Sequence, residues 1–532
     1  MATLTTRRPR TRSARTRPPS ALLAALSGLL AAAAALAAGE LAAGLVPDGR
    51  SPVITVGDRV IDLVPPPVKD FAISTFGTAD KPALVVGILV LTALLGTVLG
   101  LAAVRRLAVG AAGLVLFGLV GVAAALAEGV GVVPAALVNL AAVVAGIVVL
   151  AALIRRLRAV DDDRTGPALP ASDRAGIDRR AFLRGSAVVA GLAVAAGATG
   201  RWLQGRASAA TSRMALMLPT AANPLPSIPS TADLDIDGLV PYVTPNADFY
   251  RIDTALSVPQ VAVEDWTLRI SGMVDRPLEL SFDDLISRAL VEADVTLACV
   301  SNEVGGNLIG NARWLGVRLD ELLAEAGVQP GATQIVGRSV DGFTAGFPTQ
   351  IGMDGREALI AVGMNGEPLP LEHGFPARLV VPGLYGYVSA TKWLSEIELT
   401  TMDAFDAYWI PRGWAKEAPI KTQSRIDVPA GLATIPPGRT AVAGVAWAQT
   451  RGIERVEVQV DDGPWAGARL ADEVDVDTWR QWVWEWDATP GNHTLRVRAT
   501  DGTGETQTEE RARPVPDGAA GWHNVSVRVS AG

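Results

Sequence analysis

The chain has 532 residues, 49% hydrophobic and 19% charged, with a formal net charge of -8 and a mean hydropathy of +0.28. The length exceeds one compact domain and points to about three, and the apolar excess calls for membrane spans. The acidic balance excludes a general polyanion affinity, so nucleic acid is not an expected partner, and a single Cys excludes intrachain disulfides.

Residues 1–20 form a basic tail, "RRPRTRSARTR" at its centre. Beyond it, 21–204 is rich in Ala, Leu, Val and Gly, and no His, Cys, Met or Tyr occurs between the initiator Met and Met214. Apolar runs near 21–46, 82–103, 107–127 and 131–154 reach the roughly 20 residues a bilayer crossing needs. A fifth run, 185–200, is shorter. The basic clusters are the tail, Arg105-Arg106, and the group Arg155, Arg156, Arg158, Arg179, Arg180 and Arg184, whereas 47–81 and 128–130 carry none. Basic clusters stay cytoplasmic. The expected order is therefore N-terminus inside, four spans, 155–184 inside, a fifth crossing, and the remainder on the extracytoplasmic side of the cell membrane.

Membrane-held haem needs axial His, Met, Cys or Tyr; the spans offer none, so no haem is expected and the role of this part is anchoring. Glu40, near the outer end of the first run, reads as a hydrated interfacial carboxylate. "DRRAFLRGSAVVAGLAVAAGATG" (178–200) resembles a twin-arginine export signal, and "ASA" at 207–209 a signal-peptidase site.

Residues 205–240, with several Pro and Ser and no clear period, read as a linker. From 241 to 410 strands and helices mix. "WTLRISGMV" (266–274) alternates as a strand, "SFDDLISRAL" (281–290) opens on a Ser cap with acids in its first turn, "VRLDELLAEAGV" (317–328) is an amphipathic helix closed by Gly327, and "ARLVVPG" (377–383) is a buried strand. That is an α+β domain. From 417 to 532 only strands appear, with Asp-Gly turns after "RVEVQVDDG" and "HTLRVRATDG", the pattern of an immunoglobulin-like sandwich. Trp482, Trp484 and Trp486 share one face and read as core. His493 and His523 read as structural.

Cys299 lies in "TLACVSNEVGG". Its residue chemistry admits a buried core thiol, a metal ligand, or a nucleophile paired with His373. Three stretches bear on the choice: "TPNADFYRID" (244–253), "ACVSNEVGGNLIGNARWLGVRL" (298–319) and "MNGEPLPLEHGFPARLVVPGLYGYVSATKWLSEIEL" (364–399). With "APIKTQSRID" (418–427) and the following sandwich, they resemble the sulfite oxidase family of molybdenum-cofactor enzymes. With the all-α transmembrane bundle read from the apolar runs, the chain is expected to have three parts, and the resemblance implies that the α+β domain binds molybdopterin and that the all-β domain serves dimerisation. It implies molybdenum-molybdopterin as cofactor, with Cys299 as the metal ligand and catalytic residue. His373 and Arg378 would contact the pterin and its phosphate, and Ser389, Thr391 and Lys392 would form the turn that grips it. Asn246, Tyr250, Arg251 and Ser339 complete the implied cofactor contacts.

The chain departs from the family where paired Arg follow "C-x-x-N". Here stand Glu303 and Val304, and Val362 and Gly363 replace "YE" before "MNG". A carboxylate at the mouth would repel sulfite, with Arg313, Arg412 and Lys416 as candidate compensating cations. The expected activity is two-electron oxygen-atom transfer on a small molecule: S-oxide or N-oxide reduction, or sulfite-like oxidation. Electrons would pass to or from a separate protein partner, and a homodimer would form through the C-terminal domain. The alternative reading is a non-catalytic anchored envelope protein displaying a binding domain.

Overall fold

The computed structural model describes residues 21–46, 49–65, 68, 71, 75–76, 80–162, 171–206 and 209–531. The basic tail 1–20, part of the basic 155–184 segment (163–170) and the first two residues of the 207–209 site lie outside the described residues. The chain divides into two compact units, Met1–Arg206 and Ala207–Gly532.

The first unit is helical: α1 (Ala21–Leu45), α2 (Pro52–Leu63), α3 (Asp80–Arg105), α4 (Leu107–Ala127), α5 (Val132–Asp162) and α6 (Ala171–Arg206). Five of them, all but α2, are long and apolar enough to cross a membrane. Small residues bring their axes together: a Cβ on Gly28 of α1 would run into Gly96 and Gly100 of α3, the close approach that small-residue spacing permits in lipid. Large apolar side chains such as Leu91, Leu94 and Val98 of α3 and Leu116 and Leu119 of α4 stand exposed. The 178–184 motif falls within α6. Glu40 corrects the reading of a hydrated carboxylate: it is buried and accepts a hydrogen bond from Ser51, the N-cap of α2. Residues 51–63 fold back as a helix and cover it, which a hydropathy profile does not register.

The second unit opens with α7 (Ala209–Ala215). The irregular stretch after it is pinned along its length. Ala222 N donates to Leu290 O at 2.8 Å, Leu225 N to Glu292 at 2.8 Å, and Leu234 N to Gln481 at 2.6 Å. Then follow β1 (Thr267–Gly272), β2 (Leu278–Ser281), α8 (Phe282–Ile286), β3 (Val291–Ala298), β4 (Ile309–Arg318), α9 (Leu319–Ala326), β5 (Gln334–Ser339), β6 (Thr344–Pro348), β7 (Leu359–Met364), β8 (Glu367–Pro368), β9 (Arg378–Val380), α10 (Gly386–Ser389) and β10 (Leu394–Thr400). One sheet runs β2-β1-β10-β5-β6, the other β3-β4-β7-β8 with β9 on β7. The expected helix over 281–290 is only five residues long. Its capping box forms between Ser281 and Asp284, but once Phe282 and Leu285 are buried the chain must turn into β3. The helix over 317–328 ends where expected, on Gly327 at φ 71°.

The remainder is all β: β11 (Gln423–Val428), β12 (Thr434–Ile435), β13 (Gly438–Trp447), β14 (Ile453–Val460), β15 (Ala466–Gly467), β16 (Arg469–Leu470), β17 (Arg480–Ala488), β18 (Gly491–Asp501) and β19 (His523–Val529). Two sheets, β11-β13-β17-β16 and β12-β19-β18-β14-β15, face one core that includes Val442, Val456, Trp482, Trp486, Leu495 and Val527. Trp484 packs against it from a partly buried position, so the Trp row is core.

This β region is welded to β3. Thr296 N donates to Asp477 O at 3.0 Å, Gln449 donates to Thr296 O at 2.8 Å, and Trp479 N donates to the Thr296 hydroxyl at 2.7 Å. The Trp479 indole, itself buried, donates to Tyr242 O at 2.8 Å. Trp479→Ala is expected to destabilise the second unit by about 3–5 kcal/mol, measured as a shift of the denaturant midpoint at unchanged slope.

Candidate active site

The cavity forms where the ends of the two α+β sheets meet. β3 pairs with β4 as far as Ala298 opposite Ile309, so Cys299 is the first residue past the ladder. A tight loop fixes it: Cys299 N donates to Leu308 O at 2.9 Å and Asn302 N to Cys299 O at 3.0 Å, while Leu308 N donates to the Asn302 side chain at 2.8 Å. The loop turns back through Gly305 at φ 80°, a conformation that favours glycine. Arg378 begins β9, opposite Ala361 of β7. From the other sheet come Ser339, at the end of β5 opposite Leu394, and Lys392, two residues before β10.

The cavity is lined by Cys299, Tyr250, Ser339, His373, Arg378 and Lys392, with Phe249, Ile252, Asp253, Thr254, Asp341, Phe343, Gly386, Tyr387, Ala390, Trp393 and Trp409. Four expected contacts lie elsewhere. Asn246 and Arg251 line a neighbouring hollow with Glu367 and Glu372, which Phe249 and His373 also border. The Asn246 amide is spent on Glu367 at 2.6 Å and on Asn365 at 2.8 Å. The buried Ser389 hydroxyl donates back to Tyr385 O at 3.2 Å, and Thr391 keeps a buried hydroxyl without a partner.

The two cations of the cavity differ. Lys392 donates to Asp253 at 2.7 Å and to Glu372 O at 3.1 Å, and Asp253 also takes Arg251 at 2.7 Å. Burial nonetheless pushes the Lys392 ammonium down to about 8, against the pull of Asp253. Arg378, only 5% exposed, lies 5.1 Å over the Trp314 ring and donates to His373 O at 3.0 Å. No carboxylate among the described residues pairs with it, and burial lowers it to about 10. His373 is held down to about 4, by burial first and then by Arg378. Its Nε2 donates to Asn246 O at 3.0 Å, which opposes that depression without reversing it. Burial pushes the Cys299 thiol up, opposed by Ser301; it also raises Tyr250, stacked on Phe249 at 5.3 Å, with Cys299 adding to the rise.

Several expectations are corrected. Cys299 and His373 face the same cavity, but the imidazole bonds the main chain and no nucleophile–base hydrogen bond joins them. Glu303 is exposed and absent from the cavity lining, because the loop turns it outward; Val304 is buried. Arg313 is held by Asp294 at 2.7 Å, Lys416 by Asp406 at 2.7 Å, and Arg412 sits 3.7 Å over the Tyr408 ring; none lines the cavity. Sequence reasoning missed Ile252, Asp253, Phe343, Tyr387 and Trp409. Asp253 stood within a quoted stretch, and its role as counter-ion to Lys392 was the one that charge pairing could have suggested.

A family model described as "Oxidoreductase molybdopterin binding domain" matches residues 255–409. Mitochondrial sulfite oxidase of Homo sapiens is 31% identical over 343 residues, 54% of this chain and 62% of that protein, so the chain spans less than two thirds of that relative. The uncharacterized oxidoreductase YuiH of Bacillus subtilis (strain 168) is 35% identical over 149 residues, 28% of this chain and 72% of that protein. Among solved structures, the sulfane dehydrogenase SoxCD of Paracoccus pantotrophus is 26% identical with a TM-score of 0.48, covering 54% of this chain and 81% of that chain.

The buried imidazoles set an acid limit. His373 and His523 take up protons near 6.5 when unfolded but only at about 4 when folded, so the unfolded chain binds more protons between those values. Their contribution to stability is full above pH 6.5 and is lost as pH falls toward 4; Asp477, pushed up to about 6 by burial, opposes the trend. In thermal melts of the full chain, Tm should fall from pH 6.5 to 4 more steeply in the wild type than in the His373→Gln/His523→Gln double variant.

Proposed function

The chain belongs to the sulfite oxidase family of molybdopterin oxidoreductases, and from that premise we propose a membrane-anchored enzyme that transfers an oxygen atom to or from a small substrate outside the cytoplasm. The observation that carries this is the pairing, in one cavity, of the only thiol in the chain with a buried guanidinium that has no carboxylate partner among the described residues. A buried cation without a counter-ion is costly, and an anionic phosphate satisfies it with charge-assisted hydrogen bonds. No group of three or more His, Cys, Asp or Glu among the described residues could hold a metal. The protein offers one soft ligand, Cys299, and the cofactor of the family would bring its own sulfurs for the rest. These residues fit molybdenum-molybdopterin.

Cys299 holds the metal, and coordination offsets the burial that disfavours its thiolate. Arg378 and Lys392 hold the phosphate end, and the neutral His373, Tyr250 and Ser339 face the pterin. Ser389 and Thr391 shape the turn that presents Lys392, while Asn246 and Arg251 brace the wall, Arg251 through Asp253. When bound, the cofactor supplies the two-electron centre for oxygen transfer, and the protein supplies position and electrostatics. The substrate is a small S-oxide, N-oxide or sulfite-like molecule.

The five apolar helices and the one-sided basic clusters support a multi-pass anchor over 21–204 with its N-terminus inside. The 178–184 motif supports export of the catalytic part, 241–410, already folded. Residues 417–532 form an immunoglobulin-like domain through which two chains pair. With no haem-ligating side chain in the spans, electrons pass through a separate carrier.

Metal analysis tests the reading. Protein produced with molybdate should carry about one molybdenum per chain, and Cys299→Ser should lose it; metal-free wild type overturns the assignment. In the loaded protein Cys299 should resist alkylation that labels it after chelation and unfolding.

A further inference from the structure

Resting on the cofactor reading above, we propose that Arg213, on the short helix that opens the second unit, is a positioning residue for the cofactor wall, fastening both supports of His373. The sequence pattern reads this segment as a linker, yet it is part of the core. Ala209, at the start of α7, is fully enclosed in the cluster that holds Phe249, Trp314 and Phe375, and Leu216 packs against the same cluster. Ser212 ties α7 down elsewhere, accepting from Val263 N at 3.0 Å and donating to Glu264 at 3.3 Å. Further on, Leu218 crosses β7 at Gly363, where a Cβ would come within 2.9 Å of it. Gly363 is one of the positions at which the chain departs from the family's "YE", and the strap lies in the space so left.

Arg213 reaches from this strap to the wall in two places. Its Nε donates to Leu369 O at 2.8 Å and its Nη2 to Pro368 O at 2.8 Å, just ahead of the 3-10 turn Leu371–His373. The same Nη2 meets Glu367 at 3.0 Å. Glu367 accepts from the Asn246 amide at 2.6 Å, and Asn246 O accepts from His373 Nε2 at 3.0 Å. The imidazole is thus held by its own chain and by the carbonyl it bonds, and both supports lead to one guanidinium.

The ion pair is the lesser part of this clamp. Glu367 is 48% exposed, and a pair so open to solvent contributes little. The weight falls on the two carbonyls, which take charge-assisted hydrogen bonds from a largely buried side chain. A rigid fork of N–H groups serves two carbonyls and a carboxylate together, which an ammonium on a flexible stem does less well. Arg213 lines the hollow behind His373 and is absent from the cavity lining, so it acts on the wall from the back.

The test uses the full chain in detergent, once free of cofactor, from cells blocked in pterin synthesis, and once loaded. The chain has three His, so labelling by diethyl pyrocarbonate, read by peptide mass spectrometry, follows each imidazole separately. In the cofactor-free chain Arg213→Met should speed labelling of His373 about tenfold, with His493 and His523 at their wild-type rates. Glu367→Leu should act in the same direction by a smaller factor, and adding it to Arg213→Met should change little. Arg213→Lys should recover part of the protection. Ser212→Ala, which loosens the strap away from His373, should keep the wild-type rate. In the loaded chain Arg213→Met should release molybdenum on dialysis about tenfold faster than wild type, and Ser212→Ala should not. The proposal is overturned by His373 labelling unchanged in Arg213→Met, by a rise shared among all three imidazoles, by an equal effect of Ser212→Ala, or by unchanged molybdenum release. Molybdenum-free wild type overturns the cofactor reading instead, and labelling of the cofactor-free chain still decides the clamp.

Discussion

The cavity of the second unit is built around a guanidinium that no carboxylate among the described residues compensates. Arg378 is buried on a strand, over an indole, with main-chain carbonyls as its hydrogen-bond partners. Nearby charges make the point sharper. Lys392 and Arg251 share Asp253, so that carboxylate is committed, and the neighbouring imidazole is kept neutral partly by Arg378 itself. A protein seeking only stability would place an acid or an apolar side chain here, since an unmatched buried charge costs several kcal/mol, on the order of 3–5. The arrangement makes physical sense when the missing anion arrives with a ligand.

The sulfur side of the cavity depends on a different kind of support. Cys299 stands one residue past the end of an edge strand, where frayed pairing would let it wander. Three hydrogen bonds from the β region fasten Thr296. Arg425, bound to Asp427, reaches across to Gly306 O at 2.8 Å. The β region is thus the backing of the strand that presents Cys299, and a rigid element beneath a site residue is what precise placement needs.

Much of this was legible beforehand because it is local. Alternation located β1 and β14, the Ser281 cap located α8, Gly327 ended α9, and the parity of Trp482, Trp484 and Trp486 put them on the core face. The cavity was legible only through resemblance, since nothing in composition distinguishes Cys299 from a core thiol. What escaped was set by loops. Glu303 follows Cys299 by four residues, yet the Asn302-braced turn sends it to solvent. Ile252, Phe343 and Trp409 come from three distant segments without a pattern, and their convergence is a property of the fold alone. Glu40 escaped because α2 covers it from elsewhere in the sequence.

The contact between Gly305 and His523 carries a temporal consequence. A Cβ at Gly305 would collide with the His523 ring, and that ring is oriented by accepting the Ile426 amide at 3.0 Å. The loop after Cys299 therefore rests on a side chain made more than two hundred residues later. A nascent chain halted short of position 523 would present its thiol on an unbraced turn, whatever else had folded. The shape of the turn beside Cys299 is therefore complete only once position 523 has been made.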